Sequence, residues 1–144
     1  MRSLFLTLAA VLVLSAAPRA AVAQQAYVVI VNEANDVSEI SNADLSAMYL
    51  KKMRRWPSGQ EVVPVDLSDN QSTRESFSLA VHGKSTSAIK AYWQKMIFSG
   101  KAVPPVEKTV DQDVIAYVRA TPGAVGYVSP TASVSGVRRV RVTP

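Results

Sequence analysis

The stretch "DLSDNQSTRESF", Asp66 to Phe77, concentrates hydroxyls, amides and charges directly after a run of valines. It reads as a strand, a turn and the start of a helix. The first N–H groups of a helix have no intrahelical acceptor and carry partial positive charge, so a junction of this kind can hold an anion. The N–H groups from Thr73 onward, the hydroxyls of Ser72 and Thr73, and the Arg74 guanidinium are the candidate contacts, with Gln71 and Asn70 as weaker ones. A second reading uses the same residues. Ser72 can cap the helix while Glu75, three residues on, closes a capping box; its carboxylate would then stand where an anion would rest. The acids Asp66, Asp69 and Glu75 also outnumber the one local cation, Arg74.

Elsewhere the residues offer little chemistry. His82 is the one histidine and sits beside Gly83, where it reads as a helix-end or surface residue. There is no cysteine, no H-E-x-x-H, no G-x-S-x-G and no Walker glycine loop. A Cys/His zinc cluster is therefore excluded. The acid pairs Asp66/Asp69 and Asp111/Asp113 fall at helix starts, where carboxylates are favoured structurally. These residues predict no enzyme, no metal and no cofactor. A hydrolase reading would need Asp66 or Asp69 as its carboxylate.

The elements that must carry the junction follow from periodicity. "QAYVVIVN" (25–32) is a buried strand. Ser41 caps a helix whose inward face is Leu45, Met48, Tyr49 and Met53, with Ile40 stapled to Leu45. "WPSGQ" (56–60) is a turn, and Trp56 is expected to pack into the core. "EVVPVD" (61–66) is a strand in which Pro64 demands an edge or bulge. The helix after the junction runs to about Val81 and ends at Gly83. Ser85 caps another, with Ile89, Tyr92, Trp93, Met96 and Ile97 as its apolar stripe. "KAVPPVEK" (101–108) is an extended crossover. Asp111 opens a last helix, with Val114, Ile115 and Val118 inward; "AVGYV" (124–128) is a strand and "VRRVRV" (137–142) an edge strand. Alternating strands and helices predict one α/β domain with a mixed sheet flanked by helices. Its ligands would sit at the carboxyl ends of strands, where the 66–77 junction lies.

The chain has 144 residues and begins with Arg2, an apolar run from Leu4 to Ala17, and Ala21-Val22-Ala23. This is the pattern of a secretory signal peptide, residues 1–23, too short in its apolar run to span a bilayer as a stable helix. Residues 24–144 are then a single domain, expected in the periplasm or outside the cell, with no membrane span. Removing Arg2 and Arg19 lowers the net charge from +5 to +3. Export and the lack of interleaved aromatic and basic residues argue against nucleic acid. The cations Lys51, Lys52, Arg54 and Arg55 read first as helix-end charges complementing a dipole.

"SNADLSAMYLKKMRRWPSGQEVVPVDLSDNQSTRESF", "YWQKMIFSGK" and "DVIAYVRATPGAVGYVS" together resemble the phosphate-binding protein of bacterial ABC phosphate transporters. The likeness runs from about Ile40 to Ser129 and is to one lobe of that two-lobed periplasmic binding fold. In the family, an arginine and then "SGT" at a helix start hold phosphate. The "SGT" falls on Gln71, Ser72 and Thr73, so only the threonine is kept, and the arginine falls on Leu67.

The resemblance implies a solute-binding domain for a small oxyanion, phosphate being the candidate, linked to an ABC permease. A single lobe offers half a cleft, so the opposite wall would come from a homodimer or another protein. The alternative is a protein-interaction module that has lost ligand binding, with Lys51, Lys52, Arg54 and Arg55 beside Trp56 as its surface.

Overall fold

The computed structural model describes residues 25–144; the expected signal peptide lies outside the described residues. The β-branched run near the start forms β1 (Val28–Asn32), whose last four residues are buried. A short strand that periodicity does not announce, β2 (Glu39–Ser41), precedes α1 (Asn42–Tyr49). Ser41 caps α1 as expected, accepting from the Asp44 N–H at 3.0 Å. Then follow β3 (Val63–Leu67), α2 (Ser72–Phe77), α3 (Thr86–Phe98), β4 (Val106–Lys108), α4 (Asp111–Ala120), β5 (Ala124–Val128) and β6 (Val137–Thr143). A π-helical turn, Ser78–His82, continues α2 directly, and Gly83 closes it in the left-handed region at φ 63°.

The sheet has the order β2-β6-β1-β5-β3-β4. β1 is antiparallel to both β5 and β6, whereas β3 is parallel to β5 and β4, and β2 to β6. The sheet is therefore mixed, as expected. One expectation changes: β6 is not an edge strand, because β2 pairs along it from Glu39↔Arg141 to Ser41↔Thr143. The extended crossover 101–108 also gains a partner, its end pairing with β3 as β4. Pro64 sits opposite Val125 of β5, but β4 joins β3 only from Val65 onward. At Pro64 the strand thus has one neighbour, the condition that a missing N–H requires.

Helices cover both faces. On one, α4 packs Val114 and Val118 against Gly126 so closely that a methyl there would fall 2.8 Å from Val114 Cγ1 and 2.9 Å from Val65 Cγ1. On the other, Phe77 of α2 stacks on Tyr127 of β5, with ring centroids 3.7 Å apart, and Tyr49 of α1 lies against both. Trp56 is buried, as expected, and donates its indole N–H to the Gly123 carbonyl at 2.9 Å. The register sets Val28 opposite Val128 and Val29 opposite Val140. The start of β1 and the ends of β3, β5 and β6 therefore share one edge of the sheet, the edge from which the 68–71 loop projects.

Candidate functional site

Asp66 is the fourth residue of β3 and points into the protein. Its carboxylate makes an ion pair with Arg74 and accepts a hydrogen bond from the Tyr127 hydroxyl; it also accepts the Leu67 N–H at 3.1 Å. Arg74 in turn donates Nη1–H to the Leu67 carbonyl at 2.9 Å. Both side chains are buried. Burial raises the Asp66 pKa, and Arg74, Tyr127 and the Leu67 N–H oppose that rise. A guanidinium keeps its proton in proteins, so an ionised Asp66 is the state that balances the buried charge. Burial, and then the same carboxylate, raise the Tyr127 pKa well above its ordinary value, which keeps the phenol a hydrogen-bond donor.

This cluster ties the end of β3 to the first turn of the helix. The loop between them is held by the Ser68 N–H donating to Lys108 O at 2.9 Å and the Gln71 N–H to Ser68 O at 3.1 Å. The Ser68 hydroxyl donates to the Asn70 carboxamide oxygen at 2.8 Å.

The capping box does not form. Gln71, not Ser72, is the N-cap, and no side chain caps the helix. Ser72 is the first helical residue. Glu75 turns away and accepts the Thr86 N–H at 2.9 Å, with the Thr86 hydroxyl on the same oxygen. It therefore serves the start of α3, which lies close because Gly83 reverses the chain. Those donors lower the Glu75 pKa.

Of the residues predicted from sequence, Asn70 and Ser72 are exposed, and Gln71 and Thr73 are half-buried, all on the loop and first turn at the sheet edge. Arg74 is the correction. Its charge is used by Asp66 inside the protein and is not free at the helix start. The acids that opposed an anion also find partners: Asp66 with Arg74, Asp69 with Lys90 at 3.3 Å, and Glu75 with Thr86. The N–H groups of Ser72 and Thr73 then remain without an intrahelical acceptor.

A cleft of about 450 Å³ opens beside this cluster, between α3 and the β3–β4 side of the sheet. Asp66, Asp69 and Glu107 line it against Arg74 and Lys90, with Trp93, Ile97, Pro104 and Pro105 as its apolar wall. Ser72 and Thr73 lie outside it. Asp66 and Asp69 share the cleft but not their partners: Asp66 is buried on Arg74, whereas Asp69 is exposed on Lys90. Asp111 accepts the Ser129 N–H at 3.2 Å and the Ser129 hydroxyl at 2.6 Å, joining α4 to the end of β5.

His82 does have a partner. Its Nδ1 is 2.8 Å from the Ser46 hydroxyl, and its ring meets Phe77 edge to face. Burial, and then the Arg74 charge, lower its pKa to about 4. Among the described residues no group of His, Asp and Glu is arranged to hold a metal ion. Sequence reasoning missed Tyr127, Thr86 and Lys90. Tyr127 was visible only as the aromatic of "GAVGYV", with nothing to join it to Asp66, 61 residues away.

A polar loop and helix start at the carboxyl end of parallel strands, in an open sheet covered on both faces, define a ligand-binding type of α/β domain. The family profile of the PBP superfamily domain matches residues 17–137, and the chain belongs to that family. In three dimensions the chain is similar to an ABC-type phosphate transport receptor from Vibrio cholerae (TM-score 0.64, 17% identity, 81% of this chain and 46% of that one). It is also similar to a candidate phosphate ABC transporter substrate-binding protein from Clostridium perfringens, solved with bound phosphate (TM-score 0.63, 20% identity, 81% and 46%). PstS from Borrelia burgdorferi shares the fold at TM-score 0.58 and 11% identity, over 82% and 47%. The chain thus spans somewhat less than half the length of these proteins, and at such identities the likeness is one of fold. No curated protein matches the chain. The chain is a relative of binding proteins with the extent of a single lobe. Among the described residues no helix is long and apolar enough to cross a membrane.

Proposed function

We propose that this chain is an exported solute-binding domain, residues 24–144 after removal of residues 1–23, that takes a small oxyanion at the start of α2, phosphate being the first candidate. The observation that carries this reading is the family, together with the fold shared with phosphate transport receptors. The helix start supplies the contacts: the N–H groups and hydroxyls of Ser72 and Thr73, with Gln71 and Asn70 at the rim. Arg74 acts indirectly, by fixing the turn through Asp66 and the Leu67 carbonyl. The domain binds and releases without covalent chemistry. Its partners are an ABC-type permease and a second wall for the ligand, from another protein or a second copy.

Calorimetric titration of the purified protein with phosphate and sulfate at low salt tests this. The decisive variant is Ser72→Pro. Proline is well accommodated at the first helical position, and Gln71 before it already has the extended backbone (φ −92°, ψ 128°) that a following proline favours. The variant removes one N–H while leaving the helix. Phosphate binding should weaken by about tenfold or more, roughly the 1.4 kcal/mol expected of a hydrogen bond to a charged group. The Ser72→Ala/Thr73→Ala pair should weaken it through the hydroxyls. A folded protein that releases no heat with millimolar phosphate would overturn the reading.

One observation favours the alternative of an interaction module without ligand. The position at which the resemblance places an arginine is Leu67, a buried apolar side chain, and Arg74 does not replace its charge. Silence toward both anions, with a partner still captured, is the outcome that reading requires.

A further inference from the structure

α3 carries the apolar stripe of a buried helix, but only part of the stripe is covered. Ile89 and Trp93 are buried, whereas Ile97 is 50% exposed, and Val103 beyond the helix is 66% exposed. A groove of about 370 Å³ runs between the end of α3 and the 51–54 loop, at the amino end of β3. Its apolar lining is Met48, Met53, Val62, Ile97 and Val103, and Lys51, Arg54 and Lys101 stand around it with Glu61 as the one acid. Across the 50–52 backbone lies a second groove, of about 360 Å³, where Leu50, Ile89 and Tyr92 are ringed by Lys52, Lys84 and Lys95. The Tyr92 hydroxyl donates to the Leu50 carbonyl at 3.1 Å in the second groove.

The helix-dipole account of the basic run does not apply here. α1 ends at Tyr49 with no basic residue in its last turn, and Lys51 already has a left-handed backbone at φ 58°. Among the described residues none of these six cations is in an ion pair. Trp56 beside them is in the core, as expected, and is not part of this surface. What remains is an apolar surface ringed by six cations and one carboxylate. Ile97 and Val103 are exposed and Met53, Leu50 and Tyr92 half-buried, over floors of buried Met48, Val62 and Ile89; apolar side chains left open to solvent in this way mark contact surfaces, and the positive rim selects a negative partner.

We infer that the two grooves dock an acidic segment of a partner protein, a stretch in which carboxylates flank apolar side chains. The concave grooves suit side chains entering from a polypeptide. The surface lies at the amino end of β3, and the proposed oxyanion site lies at its carboxyl end, so the inference stands independently of that reading and the two can be occupied together.

Fluorescence anisotropy with a labelled peptide in which Glu alternates with Leu, titrated with the purified protein, tests the inference. Saturable binding is expected, falling as salt rises. It should weaken by about tenfold or more in Lys51→Glu/Arg54→Glu/Lys101→Glu and in Ile97→Asp, with circular dichroism unchanged. Lys52→Glu/Lys95→Glu, on the second groove, gives an independent reading if the first set fails to fold. No saturable binding, equal binding by the charge-reversed proteins, or equal binding of a peptide with Lys in place of Glu would each overturn the inference. So would capture by vesicles of phosphatidylglycerol and phosphatidylethanolamine without peptide binding, which would make the surface a lipid contact.

Discussion

The two ends of β3 handle charge in opposite ways. At the carboxyl end, Asp66 and Arg74 are buried, and the ion pair is joined by a phenol, an N–H and a carbonyl. At the amino end, Lys51, Arg54 and Lys101 line an open groove without an ion-pair partner among the described residues. Charges removed from water must be matched inside the fold, because leaving one alone costs several kcal/mol. Charges left in water need no match and remain free to attract one. The same residue types are therefore scaffold at one end and recognition surface at the other.

The comparison breaks most visibly if the buried pair is cut. Arg74→Ala strands Asp66 in the core and should cost about 3–5 kcal/mol, read as a lower urea midpoint. Replacing both partners, Asp66→Leu with Arg74→Met, should cost less than Arg74→Ala alone, because no charge is then left uncompensated. By contrast, reversing the groove cations should shift stability by no more than about 0.5 kcal/mol while weakening peptide binding by about tenfold or more. If the groove charges proved as destabilising to lose as Arg74, the distinction between the two ends would fail.

A smaller effect comes from His82, at the end of the π-helical turn that continues α2. Its folded pKa is lowered from 6.5 to about 4 by burial and by Arg74. Between those values the unfolded chain takes up the proton first. Stability is thus fully present above about 6.5 and is lost as pH falls toward 4. Allowing for the partial exposure of the ring, the loss is roughly 1–2 kcal/mol. It should show as a falling melting temperature over that window, and His82→Gln should flatten the profile. An unchanged slope in that variant would assign the pH dependence to other groups.

Much of the scaffold was legible because it is local. The caps at Ser41 and Ser85, the glycine stop at Gly83, the buried stripe of α4 and the strands β1, β3 and β5 each follow from a few adjacent residues. The elements that were missed, β2 and β4, have three residues each and exist through pairing with β6 and β3. The capping box was misread for the same reason. Ser72 and Glu75 have the right spacing, but Glu75 had a competing donor in Thr86, 11 residues on, that no local rule can weigh.

The sequence by itself determined the class of fold, the place of the polar loop at a strand's carboxyl end, and the absence of cysteine, zinc and nucleophile motifs. These depend on residue type and periodicity, which are properties of short windows. Only the tertiary structure decided which charges are free. It sent Arg74 inward to Asp66 and Tyr127, turned Glu75 away from its own helix, and left the end of the α3 stripe uncovered beside six cations. Partnering of charges depends on distance and burial between segments remote in the chain, and those are fixed only when the sheet and helices close on one another.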